Sequence, residues 1–378
     1  MTYTLLLISS LAYGLLILYL ARGWGRLKPS PSVVTERKVL VTIIIPARNE
    51  ASHIGLLLDD IGRQHYPSPW LEVIVVDDAS DDATAKVARQ RLKKHSTEGR
   101  VIVLEEVTPN PSPKKRALAE GIKHATGDLI VTTDADCRVG EEWVSAIVHH
   151  ALHTGAVFIS GPVKHAPLTN TFSKLQALEF MSLVGAGAGA IGAGQALMSN
   201  GANIAFLKKA FHDVGGYGGN EQYVSGDDVF LMMKLQKTYG KQAITFLKDR
   251  DAIVKTAARE TWKEFMEQRI RWASKTKAYK SFFALYASGA VFLFNVLLLI
   301  SIVIPFFYPG HLPMVLKMWL MKFIVDAALL FPVTLFMNEK RLLWYYIPSQ
   351  IFVMVYTSLA GFLGMTKKFS WKGRTYRK

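Results

Sequence analysis

Leu129-Ile130-Val131-Thr132-Thr133-Asp134-Ala135-Asp136-Cys137 is the stretch whose reading decides the fold. Its apolar, β-branched start predicts a buried strand over Leu129–Thr133, and the run ends in two carboxylates one residue apart. A parallel sheet places its ligands beyond the carboxyl ends of its strands, which is where Asp134 and Asp136 stand. Both are hard oxygen ligands, suited to a Mg²⁺ or Mn²⁺ ion that also carries substrate phosphates. An aspartate pair alone is a weak signal. A phosphatase-type reading of the pair wants a threonine two residues further on, and Arg138 stands there.

Upstream of this stretch, strands and helices alternate. Val39–Pro46 (VLVTIIIP) and Leu71–Val76 (LEVIVV) are short apolar runs of the kind that make fully buried strands. Between them, Ala51–His65 carries Ile54, Leu57, Leu58 and Ile61 at helical spacing. Thr84–Lys94 predicts a helix, Val101–Leu104 a third strand, Pro109–Pro113 a proline loop, and Lys114–Ala125 a further helix. Trp143–His153 comes after the aspartate pair as another. Such alternation implies βαβ units and an α/β fold with a mostly parallel sheet. His149 and His153 fall four residues apart but lack the intervening glutamate of a zinc motif, and read as a helix-surface pair. Asp77–Asp82, after the second strand, reads on its own as a solvated turn with a helix cap.

The ends of the chain have a different composition. Tyr3–Leu20 is apolar and uncharged, long enough to span a bilayer, and is succeeded by Arg22, Arg26 and Lys28. Without a small-residue cleavage pattern it reads as an anchor, and the positive-inside rule puts the residues after it in the cytoplasm. The net charge of +15 concentrates beside apolar segments, at Lys275–Lys280 and Lys367–Lys378. That pattern fits anionic lipid head groups, and no nucleic-acid-binding signature accompanies it. The one cysteine, Cys137, excludes an internal disulfide framework and fits a reducing compartment. It reads as a small buried side chain, with a catalytic thiol as the alternative.

Gln176–Met198 is rich in glycine and alanine, and is apolar enough to mimic a membrane span. A crossing there would separate the aspartate pair from later acidic and basic motifs, so its glycines are expected to allow close approach to a helix or a substrate. From Ser281 the chain becomes membranous. Phe282–Phe307 spans readily. Pro313–Met337 is interrupted by Lys317, Lys322 and Asp326, and Leu342–Met365 is expected to be broken by Pro348. One amino-terminal and three carboxy-terminal spans would put the basic tail outside, against the positive-inside rule. One of the last two segments is therefore expected to re-enter or to lie in the interface.

Six motifs in order carry a resemblance: TIIIPARNE at 42–50, VIVVDDASDD at 73–82, KKRAL at 114–118, TTDADC at 132–137, GDD at 226–228 and QRIRW at 268–272. Over residues 39–272 the chain resembles glycosyltransferase family 2, in particular its membrane-bound branch of cellulose, chitin and hyaluronan synthases and ceramide glucosyltransferase. The resemblance implies a GT-A fold, a Rossmann-like α/β domain, and a UDP-sugar donor held with a divalent metal. It implies metal ligation by Asp134 and Asp136, uracil contact by Asp78, and a donor crevice that also takes Pro46, Arg48 and Asp77. Lys114, Gln268 and Arg271 would border the diphosphate. Asp228, beside Asp227 where the family often has glutamate, would be the base that deprotonates the acceptor hydroxyl. Trp272 would stack on the acceptor, and Gly201 and Asn203 would lie on the acceptor side.

The expected organisation is an anchor at 1–21, a linker at 22–38, a catalytic domain at 39–260 and an interfacial helix at 261–280. Spanning or re-entrant segments at 281–366 and a basic cytoplasmic tail at 367–378 complete it. The expected activity is inverting transfer of one sugar to a membrane lipid at the cytoplasmic face of the inner membrane. A short processive polysaccharide synthase and a non-catalytic membrane partner with this fold are the alternatives.

Overall fold

The computed structural model describes residues 2–29, 37–95, 97–106, 112–219, 226–274, 281–366, 369–371 and 374–376. The basic cluster Lys275–Lys280, most of the 109–113 loop, much of the 22–38 linker and half of the tail lie outside them. The chain forms two compact units. One comprises Leu27–Ala166 and Met198–Ala257; the other comprises Met1–Arg26, Pro167–Leu197 and Ala258–Lys378.

The first unit is built on a seven-stranded sheet. Its strands are β1 (Val41–Ala47), β2 (Leu71–Asp78), β3 (Glu98–Leu104), β4 (Leu129–Thr132), β5 (Phe158–Ser160), β7 (Ile204–Leu207) and β8 (Ile244–Phe246), in the order β3-β2-β1-β4-β7-β5-β8. A separate pair joins β6 (Val163–His165) and β9 (Val254–Thr256) in parallel. β1 lies between β2 and β4, and every residue of β2 is buried, which is why both sequences read as unbroken apolar runs. β1, β2, β3 and β4 are mutually parallel.

Register is fixed at the amino-terminal ends of these strands by a buried polar knot. The Glu72 carboxylate accepts from Thr42 Oγ1 at 2.6 Å, Thr126 N at 2.8 Å and Arg100 Nη2 at 2.8 Å, while Thr42 Oγ1 accepts from Gly127 N. β7 is the exception to the parallel pattern. It runs antiparallel to β4, with Thr132 opposite Ile204, and antiparallel to β5. Because β7 is reversed, the residues just before it arrive at the carboxyl end of β4, beside the aspartate pair.

The second unit is helical. Among the described residues, five helices are long and apolar enough to cross a membrane: Thr4–Arg26, Thr171–Gly192, Phe282–Phe307, Pro309–Phe336 and Lys340–Gly364. Thr171–Gly192 groups with the other four, so the 39–260 stretch expected to be one catalytic domain is interrupted by it. β5 and β7 flank this helix in sequence and are hydrogen-bonded neighbours in one sheet. A single complete crossing there would put these two paired strands on opposite sides of a bilayer.

Its glycines serve helix packing. A Cβ at Gly189 would stand 2.2 Å from Leu20 O, and one at Gly23 would stand 1.9 Å from Gly189 O. Only glycine permits this backbone contact with the amino-terminal helix. Pro348 does not break the last helix. It lies in the first turn of Tyr346–Thr366, where a missing N–H is tolerated. Of the charges inside Leu312–Phe336, Lys317 is exposed, and Lys322 and Asp326 are matched with each other. Lys322 Nζ donates to Asp326 Oδ2 at 2.5 Å and Gln350 Oε1 at 2.7 Å, and Tyr13 OH donates to Asp326 Oδ1 at 2.6 Å.

Candidate active site

The carboxyl end of β4 delivers Asp134 and Asp136, both partly exposed. Lys114, in the first turn of helix Pro113–His124, places Nζ 2.6 Å from Asp134 Oδ1 and 3.8 Å from Asp227 Oδ2. Burial opposes the Lys114 charge. The carboxylates of Asp134, Asp227 and Asp228 outweigh it and hold the ammonium well above the ordinary lysine range.

Asp227 and Asp228 open helix Asp227–Tyr239, whose cap is Gly226 at φ 94°; the aspartates themselves are not the cap. Asp228 is oriented by two backbone donors, Gly201 N at 2.9 Å and Val229 N at 2.8 Å. Gly201 is clamped in turn, because Thr132 Oγ1 donates to Gly201 O at 2.9 Å. A Cβ on Gly201 would lie 3.1 Å from Asp227 Oδ2 and 3.3 Å from Lys114 Nζ, so glycine keeps the space between them open. Asp227 Oδ2 is buried and has no hydrogen-bond partner among the described residues.

The ends of β1 and β2 form a second cluster. Ala47 pairs with Asp77 in the β1–β2 ladder, and Arg48 Nη1 donates to Asp78 O at 2.8 Å. Arg116 Nη2 donates to Asp78 Oδ1 at 2.9 Å and to Glu105 O at 2.8 Å. Asp77 accepts from Ser80 N at 3.1 Å and closes the turn after β2. The loops after β1 and β2 are laced by Asn49 N to Ser80 Oγ at 3.0 Å and Asp81 N to Asn49 Oδ1 at 2.9 Å. Asn49 and Ala79 both adopt left-handed backbone at φ 54° to make this contact.

The basic triplet at the start of helix Pro113–His124 is therefore divided among three partners: Lys114 turns to Asp134, Lys115 lies over the Phe230 ring at 5.4 Å, and Arg116 turns to Asp78. Arg116 is a site residue that sequence reasoning passes over; its adjacency to Lys114 is the available signal. Asn203 differs from its expected acceptor-side role. It is buried, donates through Nδ2 to Pro162 O and Ala252 O at 2.8 Å each, and accepts at Oδ1 from Trp143 Nε1 at 3.0 Å. With both amide hydrogens and one lone pair of the amide oxygen engaged, it braces β7 against its neighbours.

Cys137 is buried, and burial together with Asp134 and Asp136 pushes its thiol well above the ordinary range, which fits the small buried side chain expected of it. Arg138 Nη2 donates to Asp60 Oδ1 at 2.8 Å, tying the loop after the aspartate pair to helix Ile54–Ile61. Gln268, Arg271 and Trp272 lie on helix Trp262–Ala273 of the helical unit.

The donor set at Asp134 and Asp136 suits a divalent ion. No group of three or more His, Cys, Asp or Glu able to hold a metal forms among the described residues. Two carboxylates without a closed cage are the arrangement expected for Mg²⁺ or Mn²⁺ that completes its shell with substrate phosphates and water.

Comparison with known proteins agrees with this architecture. Residues 42–215 match the family model described as glycosyl transferase family 2, and residues 129–365 match that of glycosyl transferase family group 2. Glycosyltransferase AglE of Haloferax volcanii is 29% identical over 131 residues, 35% of this chain and 41% of that protein. Dolichyl-phosphate beta-glucosyltransferase ALG5C of Trichomonas vaginalis is 33% identical over 115 residues, 29% of this chain and 32% of that one. These alignments thus span less than half of either relative. Among solved structures, mannosyltransferase PcManGT from Pyrobaculum calidifontis, in complex with GDP-Man and Mn²⁺, superposes with a TM-score of 0.64. It covers 97% of this chain and 99% of its own at 21% identity, a likeness of fold. With the second model matching well over half of its length, the chain belongs to glycosyltransferase family 2.

Proposed function

We propose that this protein transfers a single sugar from a UDP-sugar to a membrane lipid at the cytoplasmic face of the inner membrane, with inversion at the anomeric carbon. The observation that carries the reading is the gathering of Asp134, Asp227 and Asp228 around one ammonium, Lys114, at the carboxyl end of β4. A divalent ion at this corner would add to the positive charge these carboxylates already attract.

Asp228, held by Gly201 N and Val229 N, is the base that takes the acceptor proton as its oxygen attacks. Asp227 lends its charge to the same corner. Asp134 and Asp136 would hold the divalent ion, which supplies Lewis-acid neutralisation of the departing diphosphate. When a ligand arrives, Lys114 exchanges part of its contact with Asp134 for diphosphate oxygens. Pro46, Arg48, Asp77 and Asp78 form the nucleoside end, with Arg48 holding the Asp78 backbone carbonyl and Arg116 steering its carboxylate towards a base N–H. One base and no protein nucleophile suffice for an inverting displacement. By family resemblance Gln268 and Arg271 attend the diphosphate and Trp272 the acceptor.

A lipid acceptor is supported by the long apolar helices and by the dolichyl-phosphate in the name of the Trichomonas relative. A GDP-sugar is the second donor reading, favoured by the GDP-Man complex of the Pyrobaculum protein. Membranes carrying the protein would be incubated with labelled UDP-glucose, UDP-N-acetylglucosamine and GDP-mannose, and the label partitioned between organic solvent, water and polymer precipitate. Label in the organic phase from a UDP-sugar is the expected result. Precipitated high-mass label would mean a polymer synthase, and no transfer from any donor would mean a non-catalytic partner. For topology, we place the tail in the cytoplasm; its protection from protease in sealed inverted vesicles would refute that.

A further inference from the structure

On helix Trp262–Ala273, one arginine stands between the motif positions Gln268 and Arg271. Arg269 is 3% exposed and pairs through two nitrogens with Glu179, itself fully buried on helix Thr171–Gly192. Its third nitrogen, Nη1, donates to Gln268 Oε1. The guanidinium carbon lies 4.4 Å from the centroid of Trp272 and 4.4 Å from that of Phe265. The far side of the pair is closed by Tyr356 OH, which donates to Glu179 Oε1 at 2.6 Å.

A buried ion pair is a poor source of stability, since well-packed apolar residues of similar volume usually serve as well or better. What this pair supplies is direction. The carboxylate fixes the plane of the guanidinium, and the guanidinium in turn fixes the Gln268 amide and the Trp272 indole. We propose that Arg269, held by Glu179, is the positioning residue that presets the Trp272 indole for transfer to the acceptor. The proposal rests on the acceptor role given to Trp272 under the proposed function.

The test replaces the pair by apolar groups, Glu179→Leu with Arg269→Met, in the full-length protein. A purely structural role is rescued by this exchange; a positioning role is not. With the organic-extractable lipid of the host membranes as acceptor, lipid transfer is expected to fall about tenfold, the scale of losing a desolvated cation–π contact. Sugar-nucleotide hydrolysis without acceptor and the thermal midpoint in detergent are expected to hold. Unchanged transfer, or equal loss of transfer and hydrolysis in a folded protein, overturns the proposal. Should the double variant not fold, Arg269→Lys, which keeps the charge but loses the fork, is read by the same criteria. Trp272→Ala separates the two levels. If that variant transfers normally, the acceptor role of Trp272 fails; if it is impaired while the apolar pair is not, only the positioning role fails.

Discussion

The two units treat buried charge in opposite ways. In the helical unit, Lys322 is matched with Asp326 and Gln350, Asp326 also with Tyr13, and Arg269 with Glu179, which Tyr356 closes. At the carboxyl end of β4, Lys114 faces three carboxylates, and Asp227 Oδ2 is buried with no hydrogen-bond partner among the described residues. A matched network costs desolvation but needs nothing from outside. A buried carboxylate oxygen with no hydrogen-bond partner remains unfavourable until a cation or a donor reaches it. The difference separates scaffold from site without any appeal to motif.

The comparison can be broken first at Asp228. Asp228→Asn keeps an oxygen for one of the two backbone donors and removes the base, so transfer is expected to fall by about 10³- to 10⁴-fold. Normal circular dichroism and an unchanged thermal midpoint should accompany that loss. Turnover within tenfold of wild type would take the base role from this residue. Next comes Asp136→Ala, for which a loss on the order of 10³-fold is expected. Chelation of divalent ions should abolish transfer in the wild-type protein, and Mn²⁺ or Mg²⁺ should restore it. Undiminished activity after chelation would mean that Asp134 and Asp136 do not act through a metal.

On the scaffold side, the sensitive substitution is Lys322→Met. It takes from Asp326 its charged partner within an apolar bundle, leaving the Tyr13 hydroxyl, and should destabilise the protein by about 4 kcal/mol. Adding Asp326→Leu should recover most of that loss, because the carboxylate left without its charged partner is then removed as well. Thermal denaturation in detergent reads both variants. If Lys322→Met instead abolished transfer at an unchanged midpoint, the network would belong to the chemistry and the contrast between the units would fall.

Much of this contrast is legible in the sequence, and the part that is not has a physical reason. β1, β2 and β4 are readable because strands covered on both faces must be apolar throughout. Asp134, Asp228 and Lys114 are readable because strand ends and helix starts are where a parallel sheet collects polar groups. β7 is not readable: Ile204–Leu207 is four residues long, and nothing local signals that it runs against its neighbours. That reversal is what brings Gly201 to Asp228. Asn203 misleads because a buried amide satisfied by Pro162, Ala252 and Trp143 looks, in one dimension, the same as an amide facing a ligand. Gly189 of Thr171–Gly192 is readable as a close contact, but its partner, Gly23, lies in a distant part of the sequence.

The smallest expected effect concerns a group in the sheet unit that belongs to neither class. His150 is buried on helix Trp143–Thr154, hydrogen-bonded through Nε2 to Thr245 Oγ1 at 3.0 Å. Burial, aided by the charge of His153, lowers its pKa from the usual 6.5 to about 4. The folded protein thus keeps this imidazole neutral in a range where the unfolded chain protonates it. Above pH 6.5 neither state binds the proton and stability is unaffected. Between 6.5 and 4 the unfolded state gains it alone, and stability falls by about 3 kcal/mol across the window. Below 4 both states are protonated and this loss stops growing. His150→Gln removes the proton-binding site, so its stability should be flatter between pH 6.5 and 4 than that of the wild type. The variant also sharpens the reading of the active site. Acid inactivation of the wild type combines protonation of the base with this loss of fold, whereas in His150→Gln the activity profile should report the base with less interference. Parallel stability curves for the two proteins would show that His150 is not the group that senses acid.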